Sequence, residues 1–265
     1  MKSYLDTNAL RQLSNIPDRS DHELLCSQLG IFELISGMSN ASEYKIRRIA
    51  LMRIIQRNLT IIWESPSTLQ AKAFSLDIED YDVEAIRHLM EKIIKTENFS
   101  EAQDIAFELG GNTYTLKTFA RHDNNISEES VALLTSAIDS TKPEQRKALA
   151  AIDLTRDMLL TETYKMIDNF LCNYFERFSP PYFKALNHYL EKKPLSNYFR
   201  CLTYRILVIM RDSSPSREND AIDIAHLAYT DDVDYFVSDD RFYRKLDQSL
   251  FDVKFITIDD FINMR

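Results

Sequence analysis

Runs rich in β-branched and aromatic residues stand near both ends of this 265-residue chain, and none stands out between residues 96 and 210. Lys2–Leu5 and residues 59–63 carry this strand character at the start, as do residues 234–238 and 254–258 at the end. Such short runs satisfy their backbone groups by pairing with one another, so the two ends are expected to build one sheet. The middle is left to helices, and the chain's 4 glycines and 7 prolines supply little of the punctuation that a turn-rich sheet needs. The reading is an α/β fold: residues 1–95 and 211–265 form a sheet domain, and residues 96–210 form a mainly α-helical insertion.

Within that frame, Thr7 and Asn8 follow Asp6 as caps for a helix beginning near Ala9, which puts the Asp6 carboxylate at a strand end beside a helix start. In open α/β sheets ligands bind at such places. Residues 22–38 read as one helix, with Leu24, Leu25, Leu29, Phe32 and Ile35 at helical spacings and Glu33 just off the apolar line. Another helix spans residues 43–57, and further ones follow at 67–74 and 83–95, the last behind an acidic first turn. In the middle, residues 101–109, 128–138, 144–178 and 180–190 read as helices. Residues 212–216 read as a loop and residues 220–229 as a helix, with a short helix at 242–246 between the last two strands.

The formal net charge of −9 argues against whole-surface attraction to nucleic acid while leaving room for a local basic groove. Three cysteines, Cys26, Cys172 and Cys201, lie far apart without a CxxC pair, so neither a disulfide framework nor a zinc site is indicated. Buried thiols, a carboxylate as early as Asp6, and no stretch approaching ~18 apolar residues predict a cytoplasmic protein that does not enter a membrane.

Four acidic blocks fall where strand or helix ends would present carboxylates: Leu5-Asp6-Thr7-Asn8, Phe32-Glu33-Leu34-Ile35-Ser36-Gly37, Asn219-Asp220-Ala221-Ile222-Asp223-Ile224-Ala225, and Phe236-Val237-Ser238-Asp239-Asp240. Each alone reads more simply as a helix cap, a solvated residue or a turn. In this order the chain resembles the PIN-domain nuclease family over roughly its first 95 and last 50 residues. The resemblance implies a compact parallel sheet flanked by helices and a Mg²⁺- or Mn²⁺-dependent endoribonuclease with RNA as substrate. It further implies homodimerisation, common in the family. The matching metal and catalytic positions are Asp6, Glu33, Asp220 and Asp240, Glu33 binding directly or through a water. Asp223 shares a helix face with Asp220, and Asp239 precedes Asp240, so either can replace its neighbour; Asp220 and Asp240 fit the family spacing better.

The chemistry asks for this residue type, because hard divalent cations prefer oxygen ligands and a phosphodiester repels an attacking hydroxide unless its charge is screened. Thr7 and Ser238 offer hydroxyls to carboxylates or phosphate, Asn8 fixes the turn, and Arg11 is placed to touch the substrate backbone, as are Arg217 and Arg241. Lys45, Arg47, Arg48, Arg53 and Arg57 offer phosphate-contacting charge, although a solvated helix face is the simpler account. His226 is read as packing or as a donor to a ligand. The aromatic run from Tyr164 to Tyr189 is read as core of the insertion, which is expected to select substrate, regulate access or bind a protein partner or inhibitor. The competing function is a catalytically silent PIN-like module that binds RNA or protein. A phosphatase with a nucleophilic Asp6 would want an Asp where Asn8 stands.

Overall fold

The computed structural model describes residues 1–18, 21–76, 82–139, 141–213, 217 and 219–264. In chain order the elements are β1 (Lys2–Leu5), α1 (Thr7–Arg11), β2 (Glu23–Ser27), α2 (Gln28–Ser36), α3 (Ala41–Gln56), β3 (Thr60–Ile62), α4 (Pro66–Ala73), α5 (Asp82–Ile93) and α6 (Phe99–Gln103). They continue with β4 (Phe107–Leu109), β5 (Asn112–Tyr114), α7 (Leu116–Asp139), α8 (Pro143–Ala150), α9 (Arg156–Cys172), α10 (Pro180–Lys192) and α11 (Ser196–Asp212). The last are α12 (Asp220–His226), β6 (Tyr235–Val237), α13 (Arg241–Arg244), β7 (Lys254–Ile256) and α14 (Ile258–Asn263).

Five strands form one parallel sheet in the order β3-β2-β1-β6-β7, flanked by helices, so the fold is α/β. The two ends of the chain meet at its centre, where Tyr4 pairs with Phe236 and Leu5 with Val237. Ser3, Tyr4 and Leu5 are all buried, as a strand covered on both faces requires. The chain builds outward from β1 through β2 to β3 and then returns to the opposite side of β1, so the strand order switches between β1 and β6. The crevice at the carboxyl ends of these two strands is the place where open α/β sheets hold ligands.

Several elements depart from the sequence reading, beginning with α1, which starts at Thr7 with Asp6 as its cap and not near Ala9. Residues 22–38 are not one helix: β2 takes Glu23–Ser27, and α2 starts only where the Ser27 hydroxyl accepts from the Gly30 N–H at 3.1 Å. A short apolar run such as Leu24-Leu25-Cys26 satisfies a helical spacing and a buried strand alike, and pairing with β1 and β3 decides it. In the middle segment, β4 and β5 form an antiparallel hairpin where a helix over 101–109 was expected. Gly110 and Gly111 make its two-residue turn at φ +59° and +80°, a conformation that glycine adopts without steric penalty. The helix expected over 144–178 is two helices, α8 and α9, and α7 begins well before residue 128. The acidic turn before residue 83 and most of the loop at 212–216 lie outside the described residues.

Residues of the middle segment enter the main core rather than standing apart from it. Ala102, Leu116, Phe119, Leu159 and Leu207 pack in the same apolar cluster as Tyr4, Leu5, Ile31 and Phe236. A second cluster joins Phe74, at the end of α4, to Ile167, Leu171, Tyr189 and Phe199. The aromatic run divides accordingly: Tyr182 and Tyr189 are buried, while Tyr174 and Phe178 are 58% and 68% exposed. Among the described residues no helix is long and apolar enough to cross a membrane.

Candidate active site

The carboxylates at the β1–β6 switch point are placed by caps. Asp6 ends β1 and closes the first turn of α1, its Oδ1 accepting from the Ala9 N–H at 2.9 Å. Its Oδ2 accepts a hydrogen bond from the Ser238 hydroxyl, and Ser238 Oγ in turn accepts the Asp240 N–H at 2.9 Å. Asp240 then caps α13 by accepting the Phe242 N–H at 2.7 Å. Residues far apart in sequence are thereby joined through one serine.

Glu33 leaves α2 toward the same crevice. It accepts from the Thr7 hydroxyl and stands 2.6 Å from His226 Nε2. Nδ1 of His226 lies 2.6 Å from the Tyr4 hydroxyl, which lies 2.6 Å from Ser27 Oγ. This buried chain ties α2, α12, β1 and β2 together. Burial alone would push the Glu33 carboxyl up, but the His226 charge and its hydrogen bond prevail, with help from Thr7 and Arg47, and hold it below the usual range. The converse holds for His226, whose proton is disfavoured by burial and retained because Glu33 faces it.

Asp220 and Asp223 share α12 but not an environment. Asp220 is buried and taken by Arg205, whose Nε donates to Oδ2 at 2.8 Å, while the Arg217 backbone N–H donates to the same oxygen at 2.9 Å. Asp223 instead faces the other acids. Burial first, then the charges of Asp240, Glu33, Asp6 and Asp220, push its carboxyl up to about 9. Burial also raises Asp6 to about 7 against its hydrogen bonds from Ser238 and Ala9. Asp220, the position the family spacing favours, is thus held in an ion pair, while Asp223 carries the electrostatic strain of the neighbouring acids. Between Asp239 and Asp240 it is Asp240 that stands against Asp223, whereas Asp239 accepts the Ile258 N–H at 3.1 Å and lies 3.5 Å from Gln12 Nε2.

A further carboxylate, Asp123 of α7, accepts the Ser36 hydroxyl at 2.9 Å and is raised by burial despite that bond. Nothing in its sequence surroundings marked it. The same is true of Arg205, which lies 15 residues before the acid it holds.

Four of the candidate basic residues, Arg11, Arg47, Arg48 and Arg57, make their contacts within the fold. Arg47 donates to the Glu33 carbonyl at 2.6 Å and to Glu43 at 2.8 Å, passing over Gly37, where an added Cβ would lie 2.2 Å from the guanidinium. Arg57 donates to the carbonyls of Leu13 and Ile16, each at 2.9 Å, and Arg48 to that of Ile94 at 2.9 Å. Arg11 pairs with Glu43 at 3.2 Å. Lys45, Arg53, Arg217 and Arg241 are exposed, and Asn8 is half-buried in the first turn of α1.

Oxygen-only donors match the chemistry of a hard divalent cation. Among the described residues, however, no three His, Cys, Asp or Glu side chains are arranged to hold an ion as they stand. Ser238 and the α13 cap already bond oxygens of Asp6 and Asp240, and Thr7 and His226 both bond the same oxygen of Glu33. Comparisons with family models, with curated proteins and with solved structures find no match to this chain.

Proposed function

We propose that the chain is a PIN-like, divalent-metal-dependent endoribonuclease. The observation that carries the reading is the pairing of β1 with β6 at the switch point of a parallel sheet, where Ser238 joins Asp6 to the Asp240 backbone and Thr7 and His226 hold Glu33, so that acids from both ends of the chain share one crevice. Asp6, Asp223 and Asp240 would hold Mg²⁺ or Mn²⁺, with Glu33 binding directly or through a water. The ion would screen a phosphodiester's charge and acidify the attacking water.

The chain's own residues set the stage. His226, held by Tyr4, favours the ionised form of Glu33, and Ser238 links the Asp6 carboxylate to the Asp240 backbone. Arg205 pairs with Asp220 and offsets its charge. The test is cleavage of single-stranded RNA with Mn²⁺ or Mg²⁺. EDTA stops it, and Asp6→Asn lowers it at least 100-fold with its urea transition retained. Equal cleavage by Asp6→Asn overturns the reading.

A second reading, a silent module that binds RNA or protein, draws on the hydrogen bonds that already occupy the carboxylates. It predicts no Mn²⁺ binding by calorimetry, where the nuclease reading predicts binding that Asp6→Asn removes. Homodimerisation and a cytoplasmic location belong to the same proposal.

A further inference from the structure

A cavity of about 1220 Å³ opens beside the carboxylates. Three helices separate the two, and each does so by one residue. On α2 the wall residue Phe32 precedes Glu33, on α7 His122 precedes Asp123, and on α12 Ile222 precedes Asp223. Successive helical residues point about 100° apart, so the acids line one face and the cavity the next.

The wall has a definite chemistry. Among the described residues that line it there is no Asp, Glu, Lys or Arg, which disfavours a charged group such as phosphate as the occupant. Phe32 and Phe119 meet edge to face at 5.3 Å, and Tyr114 stands 6.0 Å from Phe119, so part of the lining is aromatic. Against this surface lies one unpaid polar group. Gln28 lines the cavity, is 5% exposed, and its Oε1 is buried and accepts no hydrogen bond. Buried carboxamides are normally paired, and an unpaired one destabilises the fold unless a ligand completes it. As it stands the oxygen is turned away from the open space, so rotation about the soft χ3 of glutamine is what brings it, or the NH2, to an occupant.

We propose that this cavity is a nucleobase pocket, in which Gln28 pairs with the edge of a neutral, planar heterocycle and the aromatic wall packs against it. A base has the two properties the wall requires: an apolar face and an edge of adjacent donors and acceptors. Its identification with a base of the RNA whose phosphate lies at the carboxylates rests on the nuclease reading; a free nucleoside offers the same chemistry.

The test titrates the metal-free protein with each of the four ribonucleosides at millimolar concentration and follows amide signals of α2, α7 and α12 and the Gln28 side chain by NMR. Nucleosides carry no phosphate and need no metal, so this result is independent of cleavage. At least one nucleoside shifts these signals. Gln28→Leu weakens it tenfold or more while raising Tm, because the unpaired oxygen is gone, and Ala225→Leu, which narrows the cavity at its α12 wall, weakens it as well. Silence toward all four nucleosides, or equal binding by Gln28→Leu, overturns the pocket even if RNA is cleaved. A response to an alkyl alcohol but to no nucleoside does the same and marks an aliphatic site. Nucleoside binding without any RNA cleavage leaves the pocket standing and removes the nuclease. When both hold, a change in which base flanks the cut in Gln28→Leu identifies the strand as the source.

Discussion

Replacing Asp223 by Asn turns the crowding of the carboxylates into a measurable stability. In the unfolded chain the carboxyl titrates near 3.8, and in the fold it is pushed to about 9, by burial first and then by Asp240, Glu33, Asp6 and Asp220. Between those values the folded state keeps a proton that the unfolded state has lost, so stability falls as pH rises through this window and is unaffected below it. At pH 7 the interval above the unfolded value is about 3 units, which at ~1.4 kcal/mol per unit sets a ceiling of about 4 kcal/mol on the penalty carried by wild type. Asn is nearly isosteric and cannot ionise. Asp223→Asn is therefore expected to be about 2–4 kcal/mol more stable at pH 7 in EDTA, with an advantage that vanishes near pH 4 and grows by up to ~1.4 kcal/mol per unit toward pH 8. Urea unfolding at pH 4, 5, 6, 7 and 8, with m-values compared, reads this directly. Added Mn²⁺ should reverse the order, because an ion stabilises the wild-type acids and not the amide. An advantage that does not change between pH 5 and 8, or an Asn variant that is less stable at pH 8, refutes the claim that Asp223 faces the other acids.

Further substitutions follow from single contacts. His226→Ala leaves Glu33 buried without its cation and should destabilise the protein by about 3–5 kcal/mol at pH 7, whereas Tyr4→Phe, which removes only the far hydroxyl, should cost about 1–3 kcal/mol in urea unfolding. Arg205→Met uncovers Asp220 and should cost about 3–5 kcal/mol, and the double variant with Asp220→Asn should recover most of it; strict additivity in the cycle would show that the pair is not coupled. Gly37→Ala puts a methyl 2.2 Å from the Arg47 guanidinium and should displace it from the Glu33 carbonyl, lowering stability by about 1–2 kcal/mol with a Tm shift that Arg47→Ala does not add to.

What the sequence determined by itself is the set of features written within a few residues. A strand over Lys2–Leu5 that ends at an Asp beside a helix start is legible because the two runs are adjacent, although the cap is Asp6 itself and Thr7 and Asn8, read as caps, already lie inside α1; the strand end at Ser238-Asp239-Asp240 before α13 is legible in the same way. The confinement of the parallel strands to the two ends followed from composition, since β-branched and aromatic runs with few turn residues leave little choice. Tertiary structure decided what depends on a partner elsewhere. Leu24-Leu25-Cys26 fits helix or strand until β1 and β3 flank it. Asp220 and Asp223 differ by three positions on one helix, a separation at which local pattern has no preference, and only the placement of Arg205 commits one to an ion pair and leaves the other to the crevice. The Glu33–His226 pair spans 193 residues, and the cavity at Gln28 draws its walls from helices that meet only once the sheet has closed. Caps and propensities are short-range energies carried by neighbouring residues; charge pairing and cavity shape are set by which distant surfaces the buried core brings together.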